Sequence, residues 1–194
     1  GRAKPTKRVW IRKASKDEMR PLGIPTMNCR AKQALLKMAL EPEWEAKFEP
    51  NSYGFRPGRS CHDAIAAIFI NINRKPKYVL DADIAKCFDK INHKALLRKI
   101  NTFPVFRRQI KAWLKSGVIG FSQWSERKGY SETAEGTPQG GVISPLLANI
   151  ALHGMEECIA EKFPGDKQMR WIDSYKIFGR KIGVPRLIRY ADDL

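Results

Sequence analysis

Two segments of this chain combine strand-forming residues with acidic residues, and together they constrain its fold more than any other feature of the sequence. Residues 77–84 alternate as a β-strand does, which places Asp81 and Asp83 on the same face. A second predicted strand, close to the last residue, runs into Asp192 and Asp193, which are typical of a hairpin turn. The two segments predict neighbouring strands that gather acids at one place. From spacing alone, Asp81 and Asp83 stay equivalent, and an ordinary turn explains the second pair about equally well.

Acids gathered in this way suit the transfer of a nucleotidyl group. That reaction needs both the attacking hydroxyl and the leaving phosphate to be stabilised, and two Mg²⁺ ions about 3.5–4 Å apart do this when carboxylates bridge them. A strand-borne acid that faces an acid pair at a neighbouring hairpin supplies the ligands. The pattern therefore favours two-metal chemistry, which polymerases and some nucleases share.

The charge of the chain points to a polyanionic partner. Of its 194 residues, 36 are Lys or Arg and 20 are acidic, which gives a formal net charge of +16. More than half of this surplus lies in residues 1–37, where segments 8–13 and 20–25 predict a basic hairpin. Such an excess on a folded domain favours nucleic acid as the partner. A solvated face is the alternative, and membrane binding is disfavoured because the basic residues do not follow one face of an amphipathic helix.

Composition and residue spacing exclude several other classes of protein. With 43% hydrophobic residues, the chain can bury the core of one large domain or of two small lobes. Its apolar runs are too short to span a membrane, and no signal peptide opens it. The four cysteines lack the spacing of a zinc site and are typical of a reducing compartment. We therefore expect a soluble intracellular protein, in the bacterial cytoplasm or in an organelle.

Apolar residues at helical spacing predict five helices. Pro42 is expected to break or kink the first of them, and Ser60 and Ser144 are expected to cap two others. A further hairpin is predicted from residue 118 onward. The predicted helices cover residues 29–48, 60–72, 93–100, 105–116 and 144–159, and the second carries an apolar stripe made of Ile65, Ile68, Phe69 and Ile72.

Five blocks of the sequence resemble motifs of reverse transcriptases, in the order in which that family has them. Arg189-Tyr-Ala-Asp-Asp193 is similar to the YxDD signature, and YVLDADIAKCFDKINH at 78–93 resembles the block that carries the first catalytic aspartate. RPLGIP at 20–25, SYGFRPGRS at 52–60 and GTPQGGVISPLLAN at 136–149 complete the set. The last two blocks are typical of group II intron reverse transcriptases and disfavour a retron or diversity-generating type. A two-metal nuclease would not need the fingers hairpin. The resemblance covers the chain from about residue 8 onward.

The resemblance implies an α+β fold, the fingers and palm of a right-hand polymerase, with an antiparallel palm sheet packed on helices. It implies a truncation after the YADD turn, without the thumb and the maturase domain, and the unpaired sheet edge then predicts self-association. The implied regions are the fingers (1–76), the first part of the palm (77–117), a fingers/palm hairpin with the PQGG loop (118–143), and a palm helix with the start of the YADD hairpin (144–194).

The resemblance also assigns a metal site. Asp83, Asp192 and Asp193 are the implied catalytic residues and metal ligands, with the carbonyl of Ile84 as an additional ligand. Asp81 is then left as a structural acid. The expected ions are two Mg²⁺, for which Mn²⁺ can substitute.

The site of the incoming nucleotide is implied by four side chains, in addition to Ile84. Phe88 matches the steric gate that packs under the sugar and would select deoxynucleotides, and the alternative is a core aromatic. Gln139 matches the PQG glutamine that contacts the nucleotide, and the alternative is a simple turn. Lys13 and Arg20 match the cations with which the fingers clamp the triphosphate, and the alternative is a solvent-facing position.

The SYGFRPGRS loop holds the expected contacts with the template. Tyr53 and Phe55 could stack on bases, and Arg56 and Arg59 could bind template phosphates. The alternative is that these residues pin the loop.

The implied function is RNA-directed DNA polymerase of a group II intron, in a parent protein that also assists intron splicing and mobility. Its partners would be the intron RNA as template, a DNA primer and dNTPs. A primer 3′-hydroxyl would attack the α-phosphate of a dNTP, and pyrophosphate would leave. Because the resemblance implies missing parts, the chain itself is expected to bind RNA with salt-sensitive affinity and to polymerise feebly or not at all. The alternative is RNA binding without catalysis.

Overall fold

The computed structural model describes residues 3–12, 19–74, 77–122, 125–163 and 185–194, with the backbone alone for 121–122 and 125–128. In chain order, the elements in these ranges are β1 (Thr6–Arg12), β2 (Met19–Ile24), α1 (Met27–Glu45), α2 (Cys61–Ile72), α3 (Cys87–Lys90), α4 (His93–Ile100), α5 (Pro104–Leu114), β3 (Val118–Ser122), β4 (Ser125–Ser131), α6 (Ser144–Leu152) and α7 (Met155–Lys162). They belong to two compact units: unit 1 comprises Gly1–Lys47 and Ile84–Ala151, and unit 2 comprises Phe48–Asp83 and Leu152–Leu194. None of the helices in these ranges combines the length and the apolarity that crossing a membrane requires.

Unit 1 contains a four-stranded mixed sheet with the order β2-β1-β3-β4. β1 pairs antiparallel with β2, and β3 pairs antiparallel with β4, so both predicted hairpins are confirmed. β1 and β3 run parallel and join the two hairpins through Thr6 opposite Val118 and Lys7 opposite Ile119. Residues 13–18, which include Lys13, lie outside the described residues.

The core of unit 1 is built from the apolar faces of its helices. α4 packs against α5, and both helices occupy the segments that their periodicity predicts. Each fully buried aliphatic side chain stabilises the fold by about 1.5–3 kcal/mol relative to an exposed position. The side chains that α4, α5 and α6 bury, each at most 3% exposed, are Leu96, Ile100, Ile110, Leu114, Leu146, Leu147 and Ile150.

Helix α1 runs through Pro42, so the predicted break at this residue is wrong. Thr26 caps its first turn by accepting a hydrogen bond from the amide of Cys29 at 3.4 Å. Pro42 lies in the last turn, and its missing N–H leaves one carbonyl, that of Met38, without its usual intrahelical donor. The helix ends at Glu45, three residues before the predicted end.

Unit 2 contains α2, and its amino-terminal cap is the predicted one. The Ser60 hydroxyl accepts from the amide of Asp63, and the Asp63 carboxylate accepts from the amide of Ser60 at 2.7 Å, which is a complete capping box. The apolar stripe of this helix does not form a core, because Ile65 and Phe69 are 61% and 62% exposed. Periodicity identifies an apolar face correctly but does not determine what covers it.

The two predicted strands next to the acids are reduced to isolated bridges. Segment 77–84 contains one bridge, from Asp83 to Asp193, and segment 186–190 is bridged only at Arg189 and Tyr190. The prediction of regular strands is therefore wrong at both places. A ladder needs a partner strand along its whole length, whereas in the described residues this segment pairs with the last residues at Ala82 with Leu194 and at Asp83 with Asp193.

The helix predicted over 144–159 is two helices. Gly154, with a φ of 90°, separates α6 from α7, and the Glu49 carboxylate caps α7 by accepting from the amides of Gly154 and Glu156 at 2.8 and 2.9 Å. Ser144 is the first residue of α6 rather than its cap. Its hydroxyl instead donates to the carbonyl of Pro138 at 2.8 Å and closes the loop that precedes the helix.

Candidate active site

The acid pair near the last residue lies on a two-residue hairpin turn. Tyr190 and Asp193 exchange backbone hydrogen bonds of 2.9 and 3.1 Å, so Ala191 and Asp192 form the corner. Asp193 therefore begins the returning arm, and the prediction that both aspartates form the corner is wrong for this residue. Ala191 has a φ of 61°, in the left-handed region that an L-residue seldom adopts.

Asp83 and Asp193 stand directly opposite each other in unit 2. Their neighbours Ala82 and Leu194 exchange two backbone hydrogen bonds, of 3.1 and 2.8 Å. The next pair along an antiparallel ladder is the non-hydrogen-bonded one, whose Cα atoms are about 4.5 Å apart and whose side chains are close. Of the two acids in segment 77–84, Asp83 is therefore the one that pairs with Asp193 of the YADD turn. Sequence spacing alone could not distinguish it from Asp81.

The carboxylates that surround Asp193 make its ionisation more costly. Asp193 is an exposed residue, but neighbouring protein atoms displace some of the water around its carboxyl and raise its pKa above the ordinary range, and three neighbouring negative charges raise it further. Those neighbours are Asp192, Asp83 and Asp81, in decreasing order of effect. A cation bound among these groups would relieve the repulsion.

The donor set fits a divalent cation of the Mg²⁺ type, since carboxylate oxygens are the ligands that this ion prefers. Asp83 and Asp193 are brought together by the bridge, and Asp192 follows in the same turn. Among the residues that the structure describes, no group of three or more acidic, histidine or cysteine side chains surrounds a single point closely enough to hold a metal. Ile84 lies in unit 1, where its carbonyl accepts a hydrogen bond from the amide of Cys87 at 3.1 Å.

The YADD turn rests on the loop formed by residues 51–54, which we call the 51–54 loop. Arg189 donates its backbone amide to the carbonyl of Asn51 at 2.9 Å and accepts from the amide of Tyr53 at 2.8 Å. A Cβ atom on Gly54 would collide with the amide nitrogen of Ala191, so only glycine permits this approach.

The side chain of Arg189 is the largest fully buried one in the described structure, at 1% exposure. Its Nη1 donates to the carbonyl of Ala191 at 2.9 Å, and its Nη2 donates to the hydroxyl of Ser52 at 2.7 Å. The sequence analysis assigned no role to Arg189 or Ser52. Alternation along the last segment could have found Arg189, because it places this residue on one face with Leu187 and Ala191.

The arginines of the SYGFRPGRS loop contact the loop itself. Arg56 is 6% exposed, donates to the carbonyls of Glu49 and Ser52 at 2.9 Å each, and stacks over the ring of Phe48. Arg59 donates to the carbonyl of Pro50. Its guanidinium lies 5.3 Å from the ring centroid of Tyr53, whereas Phe55 is 49% exposed. These contacts match the alternative in which the arginines pin the loop, and contact with a template stays a prediction.

Arg20 and Gln139, both predicted to bind the nucleotide, are brought together in unit 1. Nε of Arg20 donates to Oε1 of Gln139 at 2.8 Å, and Nε2 of Gln139 donates to Oδ1 of Asp89 at 3.3 Å. The backbone carbonyl of Gln139 accepts from the amide of Gly23 at 2.8 Å, which ties its loop to β2. Asp89 is a contact that the sequence analysis missed.

Phe88 is buried in α3 at 8% exposure, and its carbonyl accepts from the amide of Thr137 at 2.7 Å. This burial is what the core-aromatic alternative expects, and the role as a steric gate stays a prediction. Lys13 lies outside the described residues.

Comparison with known proteins identifies the class to which this fold and this site belong. Residues 11–194 match the family described as reverse transcriptase (RNA-dependent DNA polymerase). The chain belongs to this family.

Within the family, the chain is related to group II intron-encoded proteins, as its motifs predict. It is 37% identical over 178 residues to group II intron-encoded protein LtrA of Lactococcus lactis subsp. cremoris, an alignment that covers 89% of this chain and 28% of LtrA. It is 34% identical over 208 residues to protein YkfC of Escherichia coli K12, covering 97% of this chain and 53% of YkfC. The chain thus spans about half or less of the length of these relatives.

A solved structure supports the fold. The structure of apo telomerase from Candida tropicalis, truncated from the C-terminal domain, superposes with a TM-score of 0.61 over 97% of this chain and 42% of that chain, at 13% identity. At this identity the likeness concerns the fold alone. It confirms the predicted α+β fingers-and-palm fold. The mixed four-stranded sheet is formed by the two hairpins of unit 1, and at the predicted palm sheet the described pairing is the antiparallel bridge between Asp83 and Asp193.

Proposed function

We propose that this chain is the fingers and palm portion of an RNA-directed DNA polymerase of the group II intron type. In the proposed reaction, the 3′-hydroxyl of a primer attacks the α-phosphate of a dNTP paired to an RNA template, and pyrophosphate leaves. The observation that carries the proposal is the pairing of Asp83 with Asp193 beside Asp192, at the YADD turn of a chain that belongs to the reverse transcriptase family. The sequence identifies the acids, and the antiparallel bridge places Asp83 and Asp193 opposite each other.

In this proposal, Asp83, Asp192 and Asp193 hold two Mg²⁺ ions, with the carbonyl of Ile84 as a further ligand and Mn²⁺ as a substitute. The ions supply charge stabilisation for the attacking and leaving oxygens. The carboxylates must be ionised to bind them, and because the pKa of Asp193 is raised, its protonation weakens the site at a higher pH than that of an ordinary aspartate would.

The residues of unit 1 would bind the incoming nucleotide. Arg20 and Lys13 carry the charge that a triphosphate requires. Gln139 presents an amide whose orientation is set by Arg20 on one side and by Asp89 on the other. Phe88 is proposed as the residue that selects deoxynucleotides.

The proposed partners are a group II intron RNA as template and a DNA primer. The net charge of +16 and the basic first hairpin support a nucleic-acid partner. We further propose an intracellular site of action, where such RNA is made, and retain the division into fingers (1–76) and palm segments (77–117, 118–143 and 144–194) as part of this proposal.

The test is incorporation of a single dNTP into a labelled DNA primer annealed to a defined RNA template, with the 194-residue chain and Mg²⁺. Incorporation should be lost in Asp192→Ala and Asp83→Asn. It should persist in Glu157→Gln, which removes an exposed charge from α7 in the same unit. Retained incorporation by Asp192→Ala would overturn the metal assignment.

Binding of RNA without catalysis is the second candidate. The strong positive charge of the chain favours it. Binding should weaken steeply with salt, with a log–log slope of about −0.7 per neutralised phosphate of a single strand. Both candidates predict salt-sensitive binding that Asp192→Ala leaves intact, so incorporation of the dNTP decides between them.

A further inference from the structure

The buried guanidinium of Arg189 donates hydrogen bonds to Ala191 and to Ser52, which are far apart in the sequence. We propose that Arg189 is a positioning residue, which acts with Ser52 and the 51–54 loop to set the direction of the carboxylates on the YADD turn. The inference rests on the proposed function, because it gives these residues a role in preparing the metal site. None of them touches the reacting groups in this role.

The two hydrogen bonds of the Arg189 side chain fix one peptide plane. Nη1 donates to the carbonyl of Ala191 at 2.9 Å, and that carbonyl belongs to the peptide that joins Ala191 to Asp192. Holding its oxygen limits the ψ of Ala191 and the φ of Asp192, and these angles aim the Asp192 side chain. The carbonyl that Arg189 holds therefore helps to set the direction in which the Cα–Cβ bond of Asp192 leaves the turn.

Ser52 accepts the hydrogen bond of the second terminal nitrogen of the Arg189 guanidinium. Nη2 donates to the Ser52 hydroxyl at 2.7 Å, and Ser52 is 1% exposed. A guanidinium is planar and presents its donors at fixed angles, so two acceptors hold it in one orientation. A lysine ammonium could satisfy one acceptor but would not fix the plane of the Ala191 peptide.

The backbone of the 51–54 loop completes the support. Arg189 is bonded to Asn51 and to Tyr53 on either side of Ser52, at 2.9 and 2.8 Å. Gly54 brings the loop against the amide of Ala191, where a Cβ atom has no room. The turn therefore rests on this loop through its backbone, a buried side chain and a close approach.

The turn needs such support because Ala191 is strained. With a φ of 61°, Ala191 has a conformation that L-residues avoid, and such conformations persist when the surroundings hold them. Arg189 holds the carbonyl of Ala191 and the 51–54 loop packs against its amide, so both peptide groups of the strained residue are restrained.

Two pairs of variants of the 194-residue chain test the proposal. Arg189→Lys is matched by Arg186→Lys, an exposed arginine of the same segment that donates to the side chain of Asn71. Ser52→Ala is matched by Ser60→Ala, which removes both hydrogen bonds of a serine hydroxyl in unit 2, where Ser60 bonds to Asp63 at the cap of α2. Ser52→Ala is the milder change and keeps the proposal testable if Arg189→Lys does not fold.

The first measurement is amide hydrogen exchange at Tyr190 and Asp193, whose amides bond across the turn. We expect exchange about tenfold faster in Arg189→Lys and Ser52→Ala, a change equivalent to about 1.4 kcal/mol. Exchange in Arg186→Lys and Ser60→Ala should equal that of the wild type at these two amides. Unchanged exchange in both test variants would overturn the proposal, and so would a uniform increase at all amides, including those of α4.

The second measurement is the affinity for Mn²⁺, followed by the electron paramagnetic resonance of the free ion, with Asp83→Asn to show that binding occurs at the carboxylates. We expect a Kd about fivefold higher in Ser52→Ala than in Ser60→Ala. Faster exchange with an unchanged Kd would reduce Arg189 to a structural residue and overturn its positioning role. If the wild type binds no Mn²⁺ at this site, the proposed function loses its metal site, and hydrogen exchange alone decides whether the loop holds the turn.

Discussion

Arg20 donates the hydrogen of its Nε to Oε1 of Gln139 across 2.8 Å, and this bond joins two residues that lie 119 positions apart in the sequence. On the other side of the same amide, Nε2 of Gln139 donates to the carboxylate of Asp89 at 3.3 Å. The guanidinium of Arg20 can only donate and the carboxylate of Asp89 can only accept, so the first bonds to the amide oxygen of Gln139 and the second to its nitrogen. Together they determine which way the amide points. In the proposed nucleotide site, Gln139 is therefore oriented before any nucleotide arrives.

Replacement of Gln139 by Ala should weaken binding of a dNTP to the 194-residue chain. A hydrogen bond to a charged group contributes about 1.5–3 kcal/mol, so the Kd should rise at least tenfold. Isothermal titration with a dNTP and Mg²⁺ measures this change. Gln109→Ala, on α5 of the same unit, is the control, and equal affinities of the two variants would remove Gln139 from the nucleotide site.

The raised pKa of Asp193 predicts a stability that depends on pH. The folded chain holds a proton on Asp193 more tightly than the unfolded chain does, so ionisation of this residue lowers stability above the ordinary aspartate pKa of about 3.9. Asp193→Asn should therefore raise the urea midpoint at pH 7 in the presence of EDTA. The gain should fade as the pH falls from the raised pKa toward about 3.9.

Asp63 is the control of opposite sign. Hydrogen bonds from the side chain and the backbone amide of Ser60 lower the pKa of Asp63, so its ionised form stabilises the folded chain. Asp63→Asn should lower the urea midpoint at pH 7, and the loss should fade as the pH falls below the ordinary pKa. If both variants shift the midpoint in the same direction at pH 7, the electrostatic account of Asp193 is wrong.

Gly54→Ala should displace the YADD turn. The added Cβ would meet the amide nitrogen of Ala191, which is backbone and cannot rotate away. Overpacking of this kind costs about 1–3 kcal/mol, which urea unfolding measures as a lower midpoint. The control is Gly129→Ala in β4, where a Cβ would meet nothing within 4 Å. A Gly54 variant as stable as this control would show that the 51–54 loop moves freely away from the turn.

Ala191→Gly should make the chain slightly more stable. The left-handed conformation costs an L-residue about 1–2 kcal/mol, and the greater freedom of glycine in the unfolded chain offsets part of the relief. We expect a net gain of about 0.5 kcal/mol in the free energy of unfolding, whereas Ala191→Val should lose stability because β-branched residues tolerate a positive φ least. A loss in the glycine variant would mean that packing of the buried Ala191 methyl group outweighs its strain.

Local patterns in the sequence correctly predicted the elements that depend mainly on interactions between residues close together in the chain. The basic hairpin, the capping box of α2 and the helices α4 and α5 follow from alternation, from a serine with an acid three residues later, and from helical spacing. The motifs also determined the family, because their residues and order are written in the chain.

Only the tertiary structure decided the features that depend on partners distant in the sequence. The parallel pairing of β1 with β3, the choice of Asp83 rather than Asp81 and the exposure of the α2 stripe each depend on what lies opposite a segment. The same holds for Arg189, whose two acceptors come from two loops far apart in the sequence. Periodicity reports which face of an element is apolar or which residues share a side, whereas burial and pairing are set by long-range contacts that no local pattern contains.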